Sequence, residues 1–99
     1  MIVLPPASQQ QRATVLRIFV GPDGRLRSMP RAGRKRQIVL EHVVASFEPG
    51  RRYPEPAVDA ILRAFYDDYP ALRRHLVDAG LLARESGEYW RIGGWLDVS

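Results

Sequence analysis

Two stretches of this chain carry the same apolar spacing. Leu40, Val43, Val44 and Phe47 fall at i, i+3, i+4 and i+7, and Val58, Ile61, Leu62 and Phe65 repeat the pattern. At 3.6 residues per turn each set lies on one face of a helix, so each helix must bury one side against a neighbour. Both are short. Glu48-Pro49-Gly50 stops the first, predicted over about residues 34–47, because proline cannot continue a helix and glycine relaxes the turn. The second follows Pro54 and Pro56, whose missing N–H groups cost nothing in a first turn. A third helix is predicted over about residues 69–79, with Leu72, Leu76 and Ala79 inward. Asp67 or Asp68 can cap it by accepting an orphan N–H, and Gly80 can end it in a left-handed conformation.

Two strands then follow, residues 81–85 and 88–92, joined at Ser86-Gly87, a strong two-residue hairpin signal. Upstream, residues 14–20 fit a short helix or a strand, closed by the turn Gly21-Pro22-Asp23-Gly24. Residues 25–29 alternate, placing Leu26 and Met29 near the core and Arg25 and Arg27 outward. Arg51-Arg52-Tyr53 reads as a short extended link. The expected fold is α+β and winged-helix-like: three helices, a C-terminal β-hairpin and a short N-terminal extension. Leu40, Val44, Phe47, Val58, Leu62, Phe65, Leu72, Leu76 and Trp90 are expected to form one buried cluster. At 99 residues the chain is read as a flexible tail over 1–11 and one domain over 12–99.

Charge is distributed unevenly. Residues 1–53 hold ten cations against three acids, a balance of +7, whereas residues 54–99 hold five against eight, a balance of −3. Fourteen of the fifteen cations are Arg, which keeps its charge and chelates phosphate or carboxylate in a bidentate fork. A basic front implies either an anionic partner or a fold in which the two halves answer each other. No apolar run approaches the roughly 20 residues that span a bilayer, and residues 1–11 lack the basic and apolar regions of a signal peptide. No membrane partner is expected, and cytoplasm is the expected compartment.

The combination Asp23-Gly24-Arg25-Leu26, Met29-Pro30, Arg34-Lys35-Arg36, Phe47-Glu48-Pro49-Gly50-Arg51-Arg52-Tyr53, Leu72-Arg73-Arg74-His75-Leu76-Val77-Asp78, Leu81-Leu82-Ala83-Arg84 and Gly87-Glu88-Tyr89-Trp90-Arg91 resembles the bacterial domain-of-unknown-function 2087 family. The resemblance covers roughly residues 14–98. The family occurs alone or behind an arsenic-repressor-type helix-turn-helix domain, which implies a role around transcription. The chain departs from the family where Pro54 and Ala57 replace a capping box at the second helix, and where Asp59 and His75 replace the family's usual Asn and Tyr.

Catalytic chemistry has little to work with. His42 and His75 lie 33 residues apart, cysteine is absent, and no carboxylate sits at a ligand-like spacing, so no metal and no cofactor are expected. No glycine-rich phosphate loop opens a helix, and Asp67-Asp68 is explained as a cap and a complement to the helix dipole. A non-catalytic module is expected, not an enzyme.

Binding has more support. Arg31, Arg34, Lys35 and Arg36 crowd the start of a helix, where the dipole disfavours positive charge and an anion would offset it. The bland alternative is a face salt-bridged to Asp67, Asp68 or Glu48. A regulatory module is expected to bind duplex DNA through Arg25, Arg27, Arg31, Arg34, Lys35 and Arg36, with Arg51, Arg52, Arg73 and Arg74 assisting. Winged-helix analogy would make Arg73 and Arg74 base readers and Arg84 and Arg91 wing contacts. Asp67, Asp68, Glu85 and Glu88 oppose that docking, and Arg74 has an i, i+4 partner in Asp78. The other reading is a protein-interaction or dimerisation module, a homodimer or a contact with another regulatory protein, using the hairpin and Trp95.

Overall fold

The computed structural model describes residues 8–94. Its elements in chain order are α1 (Gln9–Phe19), α2 (Gly33–Val44), β1 (Arg52–Pro54), α3 (Glu55–Arg63), α4 (Tyr69–Asp78), β2 (Leu82–Glu85) and β3 (Glu88–Arg91). The strands form one antiparallel sheet in the order β1-β3-β2. The fold is α+β, as expected, with four helices among the described residues where three were expected.

The added helix is α1, and it begins inside the stretch read as a tail. Ser8 and Gln11 make a capping box: the Gln11 N–H donates to Ser8 Oγ at 3.1 Å and the Ser8 N–H donates to Gln11 Oε1 at 3.0 Å. None of its residues is fully buried, but Val15 and Phe19 pack on the core. Past it, Val20 bridges Leu26 across the expected turn. The same segment is tied to the domain by the Leu26 N–H, which donates to the Phe65 carbonyl at 2.8 Å.

Helix α2 ends earlier than its apolar face. Pro49 disfavours helical backbone at Glu48, and the chain tightens before it: the Ser46 N–H reaches the Val43 carbonyl and the Phe47 N–H the Val44 carbonyl, both i to i−3. Phe47 stays buried all the same. Helix α3 has Pro54 at its N-cap with no side-chain cap. Helix α4 is capped by Asp68, whose carboxylate accepts from the Ala71 N–H at 3.3 Å. Gly80 follows it at φ 74°, in the left-handed region.

The core joins Leu40, Val43, Val44, Phe47, Val58, Leu62, Leu72 and Leu76 with Tyr53, Leu82 and Tyr89. Phe65 packs at its margin, half-buried. Trp90 does not belong to it. Side chains alternate along β3, so Tyr89 and Arg91 turn inward and Trp90 to the other face, where the Arg52 guanidinium stacks 4.1 Å from its ring centroid. Tyr89 donates its buried hydroxyl to Glu55 at 2.7 Å.

The hairpin turn places Ser86 at φ 53° and Gly87 at φ 80°. Two left-handed residues make the turn that matches strand twist, but serine lacks glycine's freedom there. Ser86→Gly is therefore expected to raise stability by about 0.5 kcal/mol, a left-handed cost of roughly 1 kcal/mol less the entropy glycine adds to the unfolded chain. Urea unfolding measures it, and a fall in the midpoint would contradict the turn assignment.

Candidate nucleic-acid interface

Eight of the ten cations singled out from the sequence divide into two groups. The first is engaged within the fold. Arg25 caps the end of α3, with Nη1 donating to the carbonyls of Arg63 at 2.8 Å and Ala64 at 3.3 Å and Nη2 meeting Asp67 at 2.5 Å. Arg51 lies 3.9 Å from Glu48 and over the Tyr53 ring. Arg52 lies 3.8 Å from Glu88 while stacking on Trp90. Arg73 bonds Asp59 and stands 3.8 Å from Glu55, so α4 is tied to α3 by the residue proposed as a base reader. Arg91, offered as a wing contact, is buried instead, with Nη1 donating to the Phe47 carbonyl and Nε to the Gly93 carbonyl.

The second group comprises Arg31, Arg34 and Lys35 about the start of α2 and Arg27 on the loop that precedes it. Arg27, Arg31, Arg34 and Lys35 have no carboxylate within ion-pair distance among the described residues. Helix α2 has no acidic residue in its first turn and no side-chain cap at Ala32. The salt-bridged alternative raised for Arg31, Arg34, Lys35 and Arg36 finds no such pair among the described residues: Asp67 meets Arg25 and Glu48 meets Arg51 instead. Arg36 lies between the groups. Its Nη1 donates to the carbonyls of Pro30 at 3.3 Å and Arg31 at 3.2 Å, and its Nη2 meets His75 Nδ1 on α4 at 2.5 Å.

Arg74, exposed on α4, lies near enough to His75 to act on its charge, as Arg36 does from α2. No ion pair joins it to Asp78 among the described residues, contrary to the expected i, i+4 pair. A shallow cleft of about 320 Å³ brings Arg73, Arg74 and Arg84 together with Pro70, Val77 and Asp78. A second depression of about 440 Å³ runs between α1 and α2, walled by Thr14, Val15 and Ile38 with Arg34 and Lys35 at its rim. On α1, Ile18 is 54% exposed. Trp95 lies outside the described residues.

Neither histidine stands in a cluster of potential metal ligands among the described residues. Burial, then Arg12, holds His42 below the ordinary histidine pKa, and its ring meets Phe65 edge-on. Burial, then Arg36 and Arg74, does the same for His75. No described helix is long and apolar enough to cross a membrane. The contacts that sort the cations, Arg73 to Asp59 and Arg36 to His75, join residues 14 and 39 positions apart, and nothing in the local sequence announces them.

Residues 25–91 match the model of a family described as an uncharacterized protein conserved in bacteria (DUF2087). No curated protein and no solved structure matches the chain.

Proposed function

This chain belongs to the DUF2087 family, and on that premise we propose that it is a non-catalytic regulatory module that binds duplex DNA through the cations at the start of α2. We read α2, β1, α3, α4 and the β2–β3 hairpin, with the strand order β1-β3-β2, as a winged helix to which α1 is prefixed. The observation that carries the DNA reading is the set Arg27, Arg31, Arg34 and Lys35, left without carboxylate partners while Arg25, Arg51, Arg52 and Arg73 are paired. With Arg74 they make about five phosphate contacts. The role in transcription rests on the company that the family resemblance implies.

Phosphate contacts release counterions, so the logarithm of affinity should fall with the logarithm of salt at a slope of about −4 to −5. Changing Arg31, Arg34 and Lys35 together to Gln should flatten that slope by about two to three units, at roughly 0.9 per contact. Fluorescence anisotropy with a labelled duplex measures both. No salt-dependent binding at low ionic strength would defeat the proposal and favour the other reading, a protein-interaction module. That reading has its own support in the apolar depression between α1 and α2 and in the exposed Ile18.

A further inference from the structure

Among the described residues, Arg36 is the one cation of the α2 segment whose guanidinium meets a group that can gain a charge. Its Nη1 gathers the carbonyls of Pro30 and Arg31, which fixes the chain just before α2. Its Nη2 crosses to α4 and stands 2.5 Å from His75 Nδ1. Arginine keeps its protons at any working pH, so the guanidinium donates and Nδ1 must accept. Neutral His75 then carries its proton on Nε2, and an imidazolium, with a proton on each nitrogen, has nothing to offer Arg36.

We propose that the Arg36–His75 contact is a proton-operated latch: closed while His75 is neutral, it holds the Pro30–Arg31 strap and the basic start of α2 against α4, and protonation of His75 opens it. The charged groups facing His75 are Arg36 from α2, Arg74 and Asp78 from its own helix, and Asp68 at the cap. Burial comes first in holding its pKa below 6.5, followed by the two arginines; the two aspartates oppose them. The sign follows. With its pKa held low the ring is neutral at pH 7 and the latch closed; as pH falls through that lowered pKa a proton must enter beside two cations, and Arg36 swings away to relieve the repulsion. The strap then loses both of its guanidinium bonds together, since one side chain makes them all. This device needs no nucleic acid, so it stands or falls apart from the DNA reading.

The test is a pH titration of the intact chain by NMR from pH 7.5 to 5.0, following both histidine rings, the Arg36 Nε–Hε signal and the backbone amides of Arg31 to Lys35. The Arg36 signal and the amides should shift with the midpoint of His75, below 6.5, and not with that of His42. Arg36→Gln, which removes the nearest cation, should raise the His75 midpoint. His75→Asn, whose amide oxygen can accept from Arg36 but takes up no proton, should leave the Arg31 to Lys35 amides unresponsive to pH. A His75 midpoint at or above 6.5 would overturn the latch. So would amides that stay still while His75 titrates, or that still move in His75→Asn.

Discussion

Replacing Leu72 or Leu76 with Ala is expected to lower stability by about 2–5 kcal/mol, the transfer free energy of the lost methyl and methylene groups plus the cost of the cavity left behind. Both side chains are fully buried, one turn apart on the inner face of α4. They share the core with Leu62 and Val58 of α3, Val44 of α2 and Leu82 of β2, so no single neighbour can collapse into the gap. In a domain of this size about 1 kcal/mol corresponds to roughly 4–8 °C in Tm, which makes the loss large in a thermal scan. Val77, on the same helix but half-buried at the margin, provides the comparison. If Leu72→Ala or Leu76→Ala melted no earlier than Val77→Ala, α4 would not present the face described.

Arg73 and Arg74 should separate in a way their adjacency in sequence does not suggest. Arg73→Gln is expected to cost about 1–3 kcal/mol of stability, because it leaves Asp59, itself only about 22% exposed, without its partner. Asp59→Asn should cost less once Arg73 is already Gln, so a double-mutant cycle should return a coupling between the two sites. Arg74→Gln should change stability by less than about 0.5 kcal/mol, as surface substitutions do, yet flatten the salt dependence of duplex binding by about one unit. Urea unfolding and anisotropy on the same proteins report the two effects. Equal stability losses at both positions would mean that α4 does not divide its arginines between the fold and the surface.

Much of the helical frame was legible because burial imposes a 3.6-residue period that the apolar residues must obey. Leu40 through Phe47 and Val58 through Phe65 show it, although α2 closes at Val44 and α3 at Arg63, each ahead of the last residue of its apolar set. Of α1 only residues 14–20 are read from the sequence, as a helix or a strand, and its start is read as tail although Ser8 and Gln11 spell a capping box, because its apolar residues are only partly covered and the glutamines around the cap read as solvated chain. On β3 the alternation of side chains was visible, but alternation does not say which face is inside. Trp90 is expected in the buried cluster, whereas it is Tyr89 that reaches the core and still satisfies its hydroxyl at Glu55. The cations were the least legible. Whether an arginine is spent on the fold depends on carboxylates and carbonyls brought to it from elsewhere in the chain: Asp67 lies 42 residues from Arg25, and Phe47 lies 44 from Arg91.

The order β1-β3-β2 has a consequence for how the chain matures on the ribosome. The central strand is the last to be made, and both of its neighbours depend on it: Arg52 opposes Trp90, and Leu82 opposes Arg91. A nascent chain can wind α2, α3 and α4 as each is synthesised, but β1 waits unpaired through more than thirty residues of further translation, and no sheet exists before Glu88–Arg91 emerges. Closure therefore belongs to long-range pairing, the slow class of folding event, and cannot begin before Glu88–Arg91 has left the ribosome. A message broken just upstream of Glu88 would release helices whose apolar faces have no sheet to settle on, a product suited to rapid proteolysis.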